Sequence, residues 1–493
     1  MAAASSAVEA RSIEMIPPGE RHGHPRGQFT LWFGANAQIT AIVDGALAVV
    51  FGADAFWAIV GLLVGNIVGG AVMALHSAQG PKLGLPQMIS SRAQFGVYGA
   101  VIPLALVILM YVGFASTGTV LSGQAINLML GVEAPAIGIL IFGTATALLA
   151  ILGYKYIHAL GRIATVTGLA GFLYLTIAVL TKFDVTQVMM VKGFEWPTFL
   201  TAIALGAGWQ LTFGPYVADY SRYLPAATSE RKTFWYTFAG SVGGAQWAMT
   251  LGAICGGLSA AKLGGDFLKN QVGYMGDLAG GGLIAVFIYL VIVTGKLTVN
   301  CLNAYGAFMC GVTISTAVNR KDTVSRTVRI VFIVAVIGAS VLIALFASKD
   351  FLNLFKNFVL LLLMVFTPWS VINLVDYYKI SRDRLDIPAL YNPDGRYGRW
   401  NTAALVSYGV GVVVQIPFLA QALYTGPVTK WLGGADISWL VGIAVTLAVY
   451  YPWAKATNRA PAESIYPANI YPDSTINPDS AVESLPVPSG PKA

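Results

Sequence analysis

The stretch Thr294–Asn303, TGKLTVNCLN, carries the residues best suited to handle a polar solute, because it lies inside an otherwise apolar span. A lysine at the centre of a bilayer costs at least ~2.5–3.5 kcal/mol of insertion free energy. At 100° per residue, Lys296, Asn300 and Asn303 share one stripe of the predicted helix. Ionisable groups inside a membrane commonly mark a solute or ion pathway, so the stretch predicts transport of something polar. The alternative is that these side chains only bond neighbouring helices.

An acid in the first apolar span offers a partner for this lysine. Asp44 lies a little beyond the middle of its span, and Lys296 a little beyond the middle of a span that runs the other way. An ion pair between them would relieve much of both insertion costs. Alternatively, Lys296 stands where other transporters hold a cation, and loss of its proton couples transport to the proton gradient. The residues leave both interpretations open.

Aromatic residues stand close together in two further spans. Tyr111 and Phe114 occur in the third span, and Trp209 and Phe213 occur one turn apart in the sixth. Aromatic faces that flank a cavity suit a flat heterocycle, whose polar edge can meet Asn and Gln amides. Ordinary helix packing is the alternative for each pair taken alone. Beside the asparagine stripe, the aromatic residues predict a heterocycle site.

The composition indicates which elements position these residues. The chain has 493 residues, of which 56% are hydrophobic and 11% charged, as in a polytopic membrane protein. The net charge of +7 does not indicate a nucleic-acid partner, because the basic residues fall where membrane topology requires them. Motifs of metal-dependent or nucleophilic enzymes are absent from any suitable context, so we expect a non-enzyme without a cofactor.

The sequence predicts an all-α protein with twelve transmembrane helices, each near the ~20 residues that a bilayer requires. The predicted spans are 29–51, 55–76, 98–122, 136–154, 160–181, 198–220, 234–258, 280–306, 328–348, 356–378, 402–424 and 437–454. Every arginine assigned to a loop follows an even-numbered span, which predicts that both termini are cytoplasmic. The predicted organisation is a cytoplasmic tail (1–28), a transporter domain (29–455) and a disordered cytoplasmic tail (456–493).

Two spans carry matching interruptions. Span one contains FGANAQIT (33–40) and span six contains GAGWQLTFGP (206–215), so glycine and polar residues stand at mid-membrane. Interrupted helices at corresponding positions of two halves indicate unwound segments around a midplane site. The two interrupted spans are five spans apart, an odd number, so the two halves have opposite orientations in the membrane. The sequence thus predicts a 5+5 inverted repeat (about 29–181 and 198–378) with helices eleven and twelve (402–454) added. Glycine-rich packing without unwinding is the alternative.

Five segments then resemble the nucleobase–cation symporter family, in its purine–cytosine permease branch. In chain order they are GQFTLWFGANAQI, GPYVADYSRYLP, NCLNAY, TPWSVINLVDYYKI and YNPDGRYGRWNTAAL. The resemblance spans roughly residues 20–455. It implies the leucine-transporter type of fold, alternating access, and cation-driven uptake of nucleobases or related heterocycles.

The resemblance also implies site residues. Those for the substrate are the broken part of span one from Asn36 to Gln38, Phe114 and Gly118 in span three, Phe213 with Trp209 as its rival in span six, and Asn300 and Asn303 in span eight. Those for a cation, including a possible Na⁺, are the backbone near Gly34 and Ala37 and the hydroxyls of Thr294 and Thr298.

Three features depart from the family pattern. Gly118 stands where an amide side chain is expected, which would leave room for a larger base. Phe114 stands where tryptophan is common. Lys296 and Asp44 add charges, and a fixed ammonium beside a sodium site would repel the ion.

These observations together predict a secondary active importer in the plasma (inner) membrane. Its substrate would be a purine or pyrimidine base of the cytosine, adenine, guanine and hypoxanthine class, held between Phe114 and Phe213 or Trp209. The coupling ion would be H⁺, narrowly ahead of Na⁺. The alternatives are a Na⁺-coupled transporter of another heterocycle, such as a hydantoin, allantoin or a vitamin, and a facilitative channel.

Overall fold

The computed structural model describes residues 13–152, 154–263, 265–319, 325–421, 424–468 and 470. The first half of the chain forms α1 (Arg26–Asn36), α2 (Ile39–Val50), α3 (Ala55–Leu83), α4 (Gln87–Ser90), α5 (Arg92–Phe95), α6 (Val101–Leu130), α7 (Pro135–Leu152) and α8 (Tyr154–Lys182). The second half forms α9 (Trp196–Leu211), α10 (Ala218–Ser221), α11 (Glu230–Ala260), α12 (Gln271–Ala279), α13 (Gly282–Asn319), α14 (Arg326–Ala347), α15 (Phe351–Val375), α16 (Thr402–Val413), α17 (Pro427–Trp431) and α18 (Ser438–Ala456).

The helices of the described residues match the all-α membrane architecture that the sequence predicts. Six are long and apolar enough to cross a membrane, or seven if the bent pair α1–α2 counts as one span. Several predicted boundaries are wrong, and two of them differ most from the structure. Helix α13 continues beyond the predicted end at 306 as far as Asn319, because small and apolar residues without proline follow. Helix α16 ends at Val413, short of the predicted 424, because Pro417 cannot donate a helical hydrogen bond.

The first span is broken where the sequence predicts an interruption. Ala37 (φ −77°, ψ 74°) and Gln38 (φ −146°, ψ 161°) leave the helical region. Helices α1 and α2 therefore meet at an angle of 61°. The break puts the side chain of Gln38 beside the carbonyl of Ala35, to which its amide donates at 2.8 Å.

The sixth span is broken slightly later than the sequence predicts. Helix α9 continues through Leu211, and the chain then turns over 212–217 before α10 begins. A Cβ on Gly206 would lie 2.7 Å from a carbonyl oxygen of α3, and one on Gly208 would lie 3.1 Å from a side chain of α15. These two glycines therefore permit close helix packing. The unwinding belongs to the turn that contains Pro215, which has no N–H to donate.

The helices pack in two groups that α15 joins. Helices α1, α2, α3, α9, α10 and α11 pack together and form the broken-span group. Helices α6, α7, α8, α12, α13 and α14 form the α13 group. Helix α15 contacts α9 of the first group and α6 of the second, and α16 and α18 pack beside α15. A site between the two groups would change shape whenever they move relative to each other.

The N-terminal tail is packed where it is described. Within residues 13–21, Ile13, Met15 and Ile16 are buried. The backbone N–H of Ile16 donates to the carbonyl of Gly84 at 2.9 Å. Residues 13–21 form what we call the N-terminal segment. Residues 1–12 of the predicted tail lie outside the described residues.

The C-terminal tail is ordered over its first part, which corrects the prediction of disorder for 456–493. Ile465 donates to the carbonyl of Leu385 at 2.8 Å and accepts from the N–H of Ile387 at 2.9 Å. Tyr466 beside it is only 3% exposed. This pairing with the loop after α15 gives the polar, proline-rich stretch a partner that its composition does not reveal. Residues 471–493 lie outside the described part of the chain.

Candidate functional site

A cavity of about 280 Å³ lies between the broken-span group and the α13 group. One end, which we call the break end, is lined by Gln38, Thr40, Lys296 and Asn303. The other end, which we call the mouth, is lined by Ile13, Asp219, Arg222 and Thr313. At 1.5 Å per residue, Lys296 and Thr313 stand about 25 Å apart along α13, so the cavity is a passage rather than a compact pocket.

Lys296 reaches from α13 across the cavity wall into the break of the first span. Its ammonium donates to Oε1 of Gln38 at 2.5 Å and to the hydroxyl of Thr40. The Thr40 hydroxyl in turn donates to Oε1 of Gln38 at 3.3 Å. The lysine is 4% exposed, so its charge is held by these two polar groups instead of by water.

The predicted ion pair between Lys296 and Asp44 is not formed. Asp44 lies one helical turn beyond Thr40 on the same face of α2. It is completely buried, and neither carboxylate oxygen has a hydrogen-bond partner within the described part of the chain. Among the described residues, Lys296 contacts only Gln38 and Thr40 through its ammonium, because the break of the first span brings these two groups to it first.

Asn300 is turned away from the cavity, towards α6. Its amide nitrogen donates to the carbonyl of Ala115 at 2.8 Å and to the hydroxyl of Thr119 at 3.1 Å. Its carbonyl oxygen points at Gly118, where a Cβ would lie 2.4 Å away. The sequence led us to expect that Gly118 leaves room for a larger base. That expectation is wrong, because the side chain of Asn300 fills the space. Neither residue lines the cavity.

Asn303, one turn further along α13, does line the cavity. Its amide nitrogen is buried and has no hydrogen-bond partner among the described residues. An unpaired buried amide costs free energy, about 1–3 kcal/mol, that a bound ligand could recover. Of the two predicted asparagines, Asn303 is thus the one free to bind a substrate.

The predicted aromatic residues come together beside the break end. The rings of Phe114 and Trp209 meet edge to face at 5.8 Å, and those of Trp209 and Phe213 at 5.9 Å. All three line the cavity. The predicted rivals Trp209 and Phe213 therefore both belong to the wall. Trp32, which the sequence reasoning missed, also lines it and packs against Phe213 at 5.5 Å.

Asn36 acts behind this wall and not on it. Its carbonyl oxygen accepts a hydrogen bond of 2.6 Å from the indole N–H of Trp209. Its amide nitrogen donates to the carbonyl of Trp32 at 2.7 Å and to the hydroxyl of Ser241 at 3.0 Å. Asn36 therefore orients Trp209 and joins α1 to α9 and α11. Tyr111 and Tyr216, whose rings stand 5.3 Å apart, extend the aromatic wall towards the mouth.

The residues predicted to bind a cation do not line the cavity. Gly34 is exposed, and Ala37 sits in the break itself. The hydroxyls of Thr294 and Thr298 donate to carbonyls one turn earlier in α13, at 2.8 and 3.1 Å. These bonds leave their oxygen lone pairs unused, so the cation site stays a prediction.

The N-terminal segment covers the mouth and connects both helix groups. Arg222, just after α10, donates to the carbonyl of Glu14 at 3.4 Å. On the other side, the Tyr391 hydroxyl donates to the carbonyl of Ile13 at 2.6 Å. Tyr391 stacks under the guanidinium of Arg92, which donates to a carbonyl of α13 at 2.8 Å. Relative movement of the two groups at the mouth must therefore disturb this segment.

Helix α12 packs against α6 on the side of Phe114 away from the mouth. Gln124, about 15 Å beyond Phe114 along α6, donates to Oε1 of Gln271 at 2.9 Å. Its own carbonyl oxygen accepts the backbone N–H of Val272 at 3.2 Å. The cavity extends towards the N-terminal segment, and no residue of α12 is among the described residues that line it. Among the described residues, no three His, Cys, Asp or Glu side chains lie close enough to hold a metal ion.

The comparison with known proteins agrees with this architecture. Residues 15–442 match a family model described as "Permease for cytosine/purines, uracil, thiamine, allantoin". The chain belongs to this permease family. The expected kinship with nucleobase–cation symporters and the expected type of fold are therefore confirmed, and the protein is a multi-pass membrane permease and not an enzyme.

Relatives and solved structures extend the same likeness. YxlA of Bacillus subtilis (strain 168), named as a candidate purine-cytosine permease, is 37% identical over 445 residues, covering 90% of this chain and 95% of that protein. The purine-cytosine permease FCY22 of Saccharomyces cerevisiae is 28% identical, and the match covers 91% of this chain and 86% of that protein. The inward-facing conformation of Mhp1 matches with a TM-score of 0.72 at 20% identity, over 92% of this chain and 97% of Mhp1. The structure of Mhp1 in a closed conformation matches with a TM-score of 0.69. At this identity the structural match shows the fold alone.

Proposed function

We propose that this permease imports a purine or pyrimidine base together with a proton across the plasma (inner) membrane, with both termini in the cytoplasm. The observation that carries the proposal is the ammonium of Lys296, bound in the break of the first span at the wall of an aromatic cavity. Through this contact, a side chain that can exchange a proton is linked directly to the helices that surround the substrate.

The cavity supports a flat heterocyclic substrate. Phe114, Trp209 and Phe213 offer aromatic faces, and Asn303 and Gln38 offer amides beside them. Stacking and amide hydrogen bonds are the interactions that a nucleobase uses. The relatives named as purine-cytosine permeases support the same class of substrate.

A proton is supported as the coupling ion by the position of the charges. The ammonium of Lys296 already holds the polar groups at the break, and a second cation placed there would be repelled. Loss of its proton would leave a neutral amine, which would hold Gln38 and Thr40 more weakly because the hydrogen bonds would no longer be charge-assisted. Asp44 lies one turn further along α2, its carboxylate has no partner among the residues that the structure describes, and it could accept or return a proton. No cofactor enters this scheme.

Alternating access is supported by the asymmetry of the passage. It extends to the mouth, whereas the lining stops short of α12, which packs against α6 on the opposite side. Under this proposal the structure faces the cytoplasm, and rocking of the broken-span group against the α13 group would open the other face.

Uptake of radiolabelled hypoxanthine into proteoliposomes tests the proposal. We expect concentrative, saturable uptake that persists without sodium and collapses with a protonophore. Uptake that stops without sodium and survives the protonophore would establish sodium coupling instead.

A sodium-coupled carrier of another heterocycle is the second candidate, because a hydantoin permease is 24% identical over 412 residues. Non-saturable uptake without accumulation would indicate a facilitative channel.

A pair of lysine variants separates coupling from general damage. Lys296→Met should retain exchange of labelled for unlabelled base at saturating concentration but lose accumulation driven by a pH gradient. Lys356→Met is the matched control, because Lys356 lies over the ring of Phe51 at 3.7 Å and does not line the cavity. Normal proton-driven accumulation by Lys296→Met would contradict the proposed coupling role.

A further inference from the structure

We infer that the break end selects bases that carry ring carbonyl groups over bases that carry exocyclic amino groups. The inference rests on the proposed function, because it narrows the substrate within the nucleobase class. It follows from an account of which hydrogen-bonding atoms at the break end are already used by the protein and which remain for a ligand.

Two fixed donors remain at the break end. The ammonium of Lys296 has three N–H groups, and two of them donate to Gln38 and Thr40. The third has no acceptor among the described residues. The amide oxygen of Gln38 is used by Lys296 and Thr40, and one of its N–H groups donates to Ala35. What Gln38 still offers is its second N–H, a donor.

The neighbouring polar groups do not offset this excess of donors. The indole N–H of Trp209 is used by Asn36, and the unpaired oxygen of Asn300 points at Gly118 on α6 instead of into the cavity. The amide nitrogen of Asn303 has no partner among the described residues, and the side chain can present either end of its amide to a ligand. The hydroxyls of Tyr111 and Tyr216 can also donate or accept, so none of these groups favours an amino group.

No acidic side chain among the described residues lines the cavity at this end. Asp219 lines the cavity at the mouth, where its carboxylate accepts the backbone N–H of Gln87 at 2.8 Å. Asp44 is buried in α2 and is not part of the cavity lining. Among the described lining residues, the fixed charge at the break end is therefore positive.

A base with carbonyl groups satisfies this arrangement, whereas an amino group does not. A carbonyl oxygen accepts from Lys296 and Gln38 together, as these two groups lie side by side. An exocyclic amino group in the same place would face N–H donors, leaving buried polar groups unpaired on both sides. Sites built around specific hydrogen bonds reject analogues that leave those bonds unmade far more strongly than apolar pockets do.

The test uses three pairs of bases that differ by one oxo or amino group: hypoxanthine and adenine, uracil and cytosine, and xanthine and guanine. Binding to the purified full-length protein in detergent, without any ion gradient, removes the coupling step from the measurement. We expect the oxo member of each pair to bind about tenfold or more tightly. Equal or tighter binding of adenine, cytosine and guanine would overturn the inference, whereas failure of all six bases would overturn the proposed function.

Two variants assign the preference to these side chains. Lys296→Met should bring each pair to within about threefold, and Gln38→Glu, which supplies an acceptor, should shift the preference towards the amino members. Lys356→Met should keep the preference of the unmodified protein. A variant that folds, by its elution and melting profile, yet keeps the full oxo preference would contradict the assigned role. The Gln38 variant keeps the inference testable if removal of Lys296 prevents folding.

Discussion

The amide of Asn300 occupies the space that Gly118 leaves on α6. A Cβ at position 118 would lie 2.4 Å from the Asn300 amide oxygen and 3.3 Å from Cδ of Lys296. The glycine thus sets the direction of two side chains that the sequence places on one stripe of α13. Because Asn300 turns towards α6, Asn303 and Lys296 remain to face the cavity.

Gly118→Ala should disturb both side chains. We expect the melting temperature to fall and base affinity to drop by about tenfold, because the methyl group displaces Asn300 from Ala115 and Thr119. Gly168→Ala is the control, since a Cβ there meets nothing within 4 Å. Affinity equal to that of the unmodified protein would show that Asn300 tolerates another orientation without consequence for the site.

Asn303→Ala and Asn300→Ala should have different effects. Removal of the Asn303 amide should weaken base binding by about tenfold with little change in melting temperature, because its nitrogen has no partner to lose in the described part of the chain. Removal of the Asn300 amide should chiefly lower the melting temperature, because it breaks two hydrogen bonds to α6. Isothermal titration and thermal melting of both variants check this division. The reverse pattern would assign substrate contact to Asn300.

Asn36 should act on binding through Trp209. Asn36→Ala leaves the buried indole N–H unpaired, and we expect base affinity to fall by about fivefold or more. Trp209→Phe removes the same N–H while keeping an aromatic face. In a double-mutant cycle, the combined variant should lose less affinity than the sum of the two single variants. Strict additivity would mean that Asn36 acts independently of the indole.

The N-terminal segment should control access to the mouth. Cys310 lines the cavity there, whereas Cys255 and Cys301 are buried away from it, so the chain carries its own thiol reporter. Ile13→Asp places a charge at a buried position and should speed labelling of Cys310 by a soluble maleimide several-fold. Bound hypoxanthine should slow that labelling. Cys310→Ser identifies the labelled residue, and an unchanged rate in Ile13→Asp would mean that the segment does not limit access.

The sequence by itself determined the membrane-spanning helical architecture, the two interrupted spans and the family. These features follow from local properties: apolar length, the distribution of arginine, and glycine and proline at mid-membrane. The sequence also placed Trp209 and Phe213 on one helix face, because they stand one turn apart, whereas Phe114 of another helix was added by the family resemblance. Each of these inferences needs only residues close together in the chain or a pattern along it.

Only the tertiary structure decided which polar side chains face the cavity. Lys296 binds Gln38 and Thr40 instead of Asp44, because the 61° bend of the first span brings those two groups to the lysine and leaves Asp44 one turn away. The side chains of Asn300 and Asn303 point in different directions for a similar reason. Gly118 on α6 has no side chain and leaves a space that the amide of Asn300 fills. Helical periodicity gives the angle of a side chain about its own helix. It does not contain the neighbouring helix that accepts the hydrogen bond.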